Sequence, residues 1–262
     1  MQVIASKDNS SIKEVKKLKE KKYRIDNKKF IIEGFRFLEE GLKSDFQFDK
    51  IFVRESSVDK FKEKFAPYIE KHNNRIMVLG DSLFKTISLT ENSQGVLATV
   101  FMKNYDRKNR DGIYILADKV QDPGNLGTII RTAHSAGCNG IILAKDTVDV
   151  YNEKTLRSTM GSIFHIDIIE DDDFSFTNEL IGKGFDLICS SLQTDKNFYE
   201  ADLRKNIIIA VGNEGNGVSD EVMDLASTKV KIPMPGNTES LNVAIAASIM
   251  IFEAVRQKLQ SK

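Results

Sequence analysis

Ile232-Pro-Met-Pro-Gly-Asn-Thr-Glu-Ser-Leu-Asn-Val-Ala-Ile-Ala-Ala247 is the stretch on which the reading of this chain turns. Pro233, Pro235 and Gly236 force an irregular loop, because proline fixes φ and removes a backbone donor. The loop ends at Ser240, and an apolar helix follows through Leu241, Val243, Ala244, Ile245, Ala246, Ala247, Ile249, Met250, Ile251, Phe252, Ala254 and Val255. A helix apolar nearly all round is expected to be buried. Ser240 and Asn242 therefore sit where an exposed loop meets a buried element, and buried polar groups need partners. Two readings are open at this point: Ser240 is a helix N-cap, or the loop and the helix start form a ligand site.

Working outward, 262 residues suit one large or two modest domains. The 38 basic and 38 acidic residues cancel, so any nucleic-acid surface must be a local patch. The first ten residues, MQVIASKDNS, hold no apolar signal region. The longest apolar run is the C-terminal helix, too short to span a bilayer and bracketed by Asn242 and Glu253. No membrane association is expected, and the simplest address is the cytoplasm. Cys138 and Cys189 lack metal-ligand spacing, and His72, His134 and His165 form no ligand motif, so no protein-bound metal is expected.

The N-terminal stretch is basic, with ten Lys/Arg between Lys7 and Lys29. Asn9 or Ser10 can cap a helix whose apolar edge is Ile12, Val15 and Leu18. That face is either simply solvated or a phosphate-facing patch. From Phe30 to Phe101 short strands alternate with helices, which predicts a small α/β domain; Asp81 is read as the cap of a helix through Ile87. The polar run 103–112, KNYDRKNRDG, reads as a linker. The expected domains are 1–105 and 106–262. In the second, strands at 113–117, 140–144, 165–169, 186–190, 206–211 and 229–232 are bounded by helices, including one from Leu126 to Ala136. This predicts an α/β fold with a mostly parallel sheet and helices on both faces. The charge run 170–173 reads as a solvated turn.

Ligands of parallel sheets bind at the carboxyl ends of strands. Two further polar, glycine-rich loops follow strands there: Gln121-Asp-Pro-Gly-Asn-Leu-Gly-Thr-Ile-Ile-Arg131 and Ala210-Val-Gly-Asn-Glu-Gly-Asn-Gly217. Neither is a dinucleotide or P-loop fingerprint. Arg131 is read as lying one turn inside an apolar helix, either as an ion-paired surface residue or as a fork for a phosphate.

Taken in order, Asn125-Leu-Gly-Thr-Ile-Ile-Arg-Thr-Ala133, Val211-Gly-Asn-Glu-Gly215, and Ile232-Pro-Met-Pro-Gly236 with Ser240-Leu-Asn-Val243 resemble the three motifs of the SpoU/TrmH RNA methyltransferases (SPOUT class). Lys28-Lys-Phe-Ile-Ile-Glu-Gly34 and Gln94-Gly-Val-Leu-Ala98 are similar to pieces of that family's ribosomal-protein-like substrate-recognition domain. The resemblance implies a trefoil-knotted C-terminal domain, a homodimer with its active site near the subunit interface, and S-adenosylmethionine held by backbone groups at Gly212, Ile232 and Leu241. It also implies a polar active-site set of Asn125, Arg131, Glu214, Ser240 and Asn242. This chain has Ala244 where the family often has Ser or Thr.

Transfer of a methyl group from a sulfonium to a ribose 2′-hydroxyl needs an aligned oxygen relieved of its proton. The general-base role the resemblance implies for Arg131 conflicts with a guanidinium that stays protonated; a clamp stabilising alkoxide charge fits better. Glu214 reads as an organiser of the loops. The expected function is ribose 2′-O-methylation of rRNA, with a tRNA substrate or a catalytically inactive RNA-binding protein of the same fold as alternatives. A nucleotide-binding oxidoreductase suffers from the missing Gly-x-Gly-x-x-Gly.

Overall fold

Continuous apolar runs such as Ile207-Ile-Ile-Ala-Val211 and Ile113-Tyr-Ile-Leu-Ala117 are what a parallel sheet buried on both faces requires, and in the structure every residue of both runs is buried. The structure, a computed structural model, describes residues 1–105, 110–191, 194–236, 238 and 240–260. Residues 106–109 of the expected linker, and Asn237 and Glu239 of the loop before the last helix, lie outside the described residues. The chain divides into two compact units, Met1–Asn104 with Tyr151–Leu156, and Tyr105–Val150 with Arg157–Lys262.

The first unit contains β1 (Gln2–Ile4), α1 (Ser10–Leu18), α2 (Lys21–Asn27), β2 (Lys29–Glu33), α3 (Phe35–Lys43), β3 (Phe48–Arg54), α4 (Val58–His72), β4 (Ile76–Leu79), α5 (Asp81–Ile87) and β5 (Val96–Phe101). Its sheet runs β1-β4-β3-β5-β2, parallel across β1, β4 and β3 and antiparallel at β3–β5 and β5–β2. Ile12, Val15 and Leu18 of α1 and Leu83, Phe84 and Ile87 of α5 pack with Ile31, Phe52 and Leu97 of the strands. Asn9 caps α1, its side chain accepting from the Ser11 N–H at 2.9 Å. Gly80, not Asp81, is the N-cap of α5; the Asp81 carboxylate instead accepts from the Ser56 hydroxyl at 2.8 Å.

The basic stretch is less of a patch than its composition suggests. Arg24 is buried, and its Nη1 donates to the carbonyls of Leu18 at 3.0 Å and Lys19 at 2.7 Å, closing the end of α1. Lys29 is paired with Glu14 at 2.6 Å and Asp49 at 2.9 Å, and Lys13 with Asp8 at 2.9 Å.

The second sheet is wholly parallel, in the order β11-β9-β10-β6-β7-β8. The chain elements from here on are β6 (Ile113–Ala117), α6 (Pro123–Ser135), β7 (Gly140–Leu143), α7 (Glu153–Thr159), whose first residues through Leu156 belong to the first unit, β8 (Asp167–Glu170), α8 (Ser175–Gly182), β9 (Asp186–Ser190), β10 (Ile207–Val211), α9 (Asp220–Leu225), β11 (Thr228–Val230) and α10 (Val243–Gln260). Tyr114, Leu116, Ile142, Leu187, Ile208 and Ala210 face Phe176 and Leu180 of α8 and Val222 of α9. Strand alternation turns Ile115 and Ile209 to the opposite face, where α10 packs against β10 and α6. Helices thus lie on both faces.

Two expectations need correction here. The acidic run 170–173 is not all solvated: Asp171 is fully buried, and its carboxylate accepts from the backbone N–H groups of Phe176 at 2.9 Å and Thr177 at 2.8 Å. These are first-turn donors of α8 that have no intrahelical partner. The last helix is not buried all round, since Ile245, Phe252 and Leu259 are 51%, 49% and 67% exposed.

Candidate active site

Three segments after strand ends build the site, and one carboxylate ties two of them together. The Glu214 side chain, from the loop after β10, accepts from the backbone N–H of Gln121 at 3.2 Å and Asp122 at 3.1 Å, and from the Asn125 amide at 2.9 Å. Asn125 in turn accepts from the Asn242 amide at 3.0 Å. The Asn242 carbonyl oxygen accepts from the N–H groups of Ala244 at 3.0 Å and Ile245 at 3.3 Å. Asn242, rather than Ser240, is therefore the cap of α10. Burial alone raises the Glu214 carboxyl, but the Asn125 amide and the Gln121 and Asp122 backbone donors outweigh it and hold it below the usual glutamate range.

The start of α6 differs from expectation in an informative way. Pro123 is the first helical residue and Asp122 is the cap, accepting from the Asn125 N–H at 2.9 Å. Proline suits that position because its missing N–H would be an orphan anyway. Asn125 is thus a first-turn residue, its side chain free to reach Glu214 and Asn242. Arg131 lies more than two turns from the start rather than one. Six residues separate it from Asn125, which turns it about 120° away around the helix. Arg131 is exposed, and its guanidinium makes no hydrogen bond or ion pair among the described residues.

Gly212, Glu214, Ile232, Ser240 and Leu241 line one cavity of about 440 Å³. The sequence reading missed other parts of its wall: Ser190 and Ser191 at the end of β9, Val218, Met223, Lys231, Met234 and Ala246. The pair of serines ending an apolar strand was the available signal. Gly212 lines the cavity and also shapes it. A Cβ there would lie 2.2 Å from the Gly217 carbonyl carbon and oxygen, so the glycine lets the 213–217 loop fold back, with Asn213 and Gly217 exchanging backbone hydrogen bonds of 2.8 and 2.9 Å. Asp118 is another residue that looked like plain loop; it is fully buried and accepts from the Ser219 N–H at 2.6 Å.

Residues 112–252 match the SpoU rRNA Methylase family, and residues 9–98 match the MRM3-like substrate binding domain. The chain belongs to the SpoU rRNA methylase family. Among its relatives, the 23S rRNA (guanosine(2553)-2′-O)-methyltransferase RlmP of Bacillus subtilis is 34% identical over 96% of this chain and 98% of RlmP. An S-adenosylmethionine-bound rRNA methyltransferase from Sinorhizobium meliloti aligns with a TM-score of 0.85 at 30% identity, covering 97% of each chain. The SpoU methyltransferase AviRb from Streptomyces viridochromogenes, in complex with S-adenosylmethionine, aligns at 0.84 with 25% identity, over 96% of this chain and 98% of AviRb.

The SpoU cavity of this chain fits such a cofactor on its own chemistry. Ile232, Leu241, Val218, Met223 and Ala246 offer an apolar wall, and residues 212–217 with Lys231 and Met234 line the rest. Pockets of that size are the usual form of a small-molecule site, and here Ser190, Ser191, Asn213, Glu214, Lys231 and Ser240 share the wall with the apolar residues. No helix among the described residues is long and apolar enough to cross a membrane, and among the same residues no group of three His, Cys, Asp or Glu gathers as a metal site.

Proposed function

We propose that this SpoU protein methylates a ribose 2′-hydroxyl of ribosomal RNA, with S-adenosylmethionine as donor. The observation that carries the reading is the convergence of three separate segments on one cavity, with the Glu214–Asn125–Asn242 chain at its edge. When bound there, the cofactor supplies an electrophilic methyl group. The chain's own residues do the rest. Gly212, Ile232 and Leu241 bind it, chiefly through backbone. Glu214 fixes the 121–125 segment, so that Asn125 and Asn242 are held without rotational freedom. Ser240 presents a hydroxyl to orient the nucleophile. Such positioning is worth about 7 kcal/mol or more in well-oriented systems. Arg131 grips the phosphate beside the reacting ribose and stabilises negative charge on the 2′-oxygen as its proton passes to solvent.

The same reading assigns residues 1–105 to RNA recognition and 106–262 to catalysis, supported by the two family matches. It includes a trefoil knot formed by the segment that leads into α10, a cytoplasmic location, and a homodimer. The dimer is supported by the exposed apolar face of α10 and by the absence, among the described residues, of any link between Arg131 and the Asn125 network within one chain. No protein-bound metal is called for.

The test is transfer of labelled methyl from S-adenosylmethionine to protein-free 23S rRNA and to total tRNA, followed by mapping of alkali-resistant linkages. Label in rRNA at a ribose 2′-oxygen is expected. Label confined to tRNA would move the substrate, and cofactor binding without transfer to either would leave an inactive RNA-binding protein.

A further inference from the structure

The first unit has a cleft of its own, about 330 Å³ in volume, between the end of β3, the start of α5 and the 88–95 loop. We propose that this cleft seats a backbone phosphate of the substrate RNA, gripped by Arg54 with Lys85 at the rim. The inference rests on the RNA methyltransferase reading above and adds a specific contact to it.

Arg54 is the reason. It ends β3, half-buried, with its N–H bonded to the Gly95 carbonyl at 2.9 Å. Its Nε and Nη2 both reach the Ser57 hydroxyl, each at 3.4 Å, long for charge-assisted hydrogen bonds. Its Nη1 has no acceptor, and no carboxylate pairs with it among the described residues. A partly desolvated cation without a counter-charge is unfavourable, and a phosphate with two free oxygens satisfies the planar fork. Lys85 is exposed at the rim and also without an ion pair among the described residues. Ser88, Thr90 and Ser93 line the wall between them, the Ser88 and Thr90 hydroxyls being committed to Glu33. Of the two acids present, Asp81 is engaged with Ser56 and Glu91 stands exposed on the outer edge.

The cleft is also pre-shaped. The Glu33 carboxylate accepts from the Ser88 hydroxyl at 2.8 Å, the Leu89 N–H at 2.6 Å and the Thr90 hydroxyl at 3.0 Å, which fixes the loop. Gly95 has φ +85°, and a Cβ there would lie 2.1 Å from the Ser57 hydroxyl. A cleft whose walls are already fixed loses little freedom on binding. Lys19 of the α1 end donates to the Ser88 carbonyl at 2.9 Å, so the exposed lysines of α1, Lys16 among them, run up to the same rim.

The experiment uses full-length protein and protein-free 23S rRNA, with Arg54→Gln, Lys85→Ala and the double variant. RNA affinity is measured over a range of KCl concentrations, with cofactor affinity by calorimetry and single-turnover methyl transfer. Each lost phosphate contact is expected to reduce the slope of log K against log salt by roughly 0.7–0.9. Cofactor affinity and the rate at saturating RNA are expected to stay at wild-type values. At constant ionic strength, inorganic phosphate should weaken RNA binding by the wild type more than chloride does, and this difference should vanish in the double variant. Lys85→Ala changes an exposed side chain, so the test survives any folding defect in Arg54→Gln. Unchanged slopes in Lys85→Ala and the double variant, or a phosphate effect that persists in the double variant, overturn the cleft while leaving the methyltransferase reading intact. A wild-type protein that neither binds nor methylates the RNA overturns that reading, and the cleft with it.

Discussion

Arg131 is set apart from its neighbours by having nothing to hold. Its guanidinium is exposed and unpaired among the described residues, while Asn125, Glu214 and Asn242 are already joined. A side chain idle in the free protein and engaged by substrate contributes mainly in the transition state. Arg131→Ala is expected to lower single-turnover methyl transfer by about a hundredfold, as loss of one charge-stabilising donor does, with cofactor affinity unchanged. Arg131→Lys should not rescue, because a point ammonium cannot replace a planar fork. A wild-type rate in Arg131→Ala would make it a surface residue only. Glu214 makes a different prediction. Its carboxyl is depressed in the folded protein by the Asn125 amide and two backbone donors acting against burial. Its contribution is therefore complete above an ordinary glutamate pKa of about 4.3 and is lost as pH falls through its lower folded value. Melting of wild type against Glu214→Gln should show a gap at pH 7 that closes in acid; a gap constant with pH would assign the loss to packing. The family resemblance placed Asn125, Glu214 and Asn242 in one set with Arg131 and Ser240 but did not say which bonds to which. That pattern depends on where Asp122 starts the helix, a boundary a single proline shifts.

At the scale of elements, the strands of the second unit were legible because a buried parallel strand has no polar face to confuse the pattern. Their spatial order was not, since pairings such as Val230 with Ser190 and Ile207 with both Ile113 and Asp186 join distant parts of the chain. Two short elements left no readable period. β1 is three residues long with Val3 77% exposed, and α2 is held by buried Arg24 rather than by an apolar edge. The start of α10 was misplaced because serine and asparagine cap equally well, and only geometry chooses Asn242. That choice couples a structural role to the site. Asn242→Ala removes the cap and the link to Asn125, and should cost about 1 kcal/mol of stability together with a larger loss of transfer. Asn242→Asp keeps the cap acceptor but has no amide to offer Asn125. It should retain the stability and still lose activity, and equal defects in melting and in transfer for both variants would leave Asn242 a cap alone.

At the scale of the whole molecule, α10 presents Ile245, Phe252 and Leu259 at seven-residue intervals. Seven residues advance a helix by about two turns, so the three form one stripe. Exposed apolar area of this kind on an otherwise polar surface marks an interaction face, and a self-complementary face generates a symmetric pair. The opposite side of α10, with Ala247, Met250, Ile251 and Ala254, is buried, and the helix packs on β10 and α6; Ser248, whose hydroxyl meets that of Thr132 at 3.2 Å, lies beside the stripe. The stripe is therefore available without disturbing the core. Because Arg131 and Asn125 lie on different faces of α6, the homodimer proposed above is the arrangement expected to complete the site. Ile245→Glu with Phe252→Glu is expected to give a monomer by sedimentation at micromolar concentration, with melting close to wild type and methyl transfer lost. A wild-type protein that sediments as a monomer while fully active would remove both the dimer and the need for it in catalysis. A charged double variant that remains dimeric would place the interface elsewhere on the molecule.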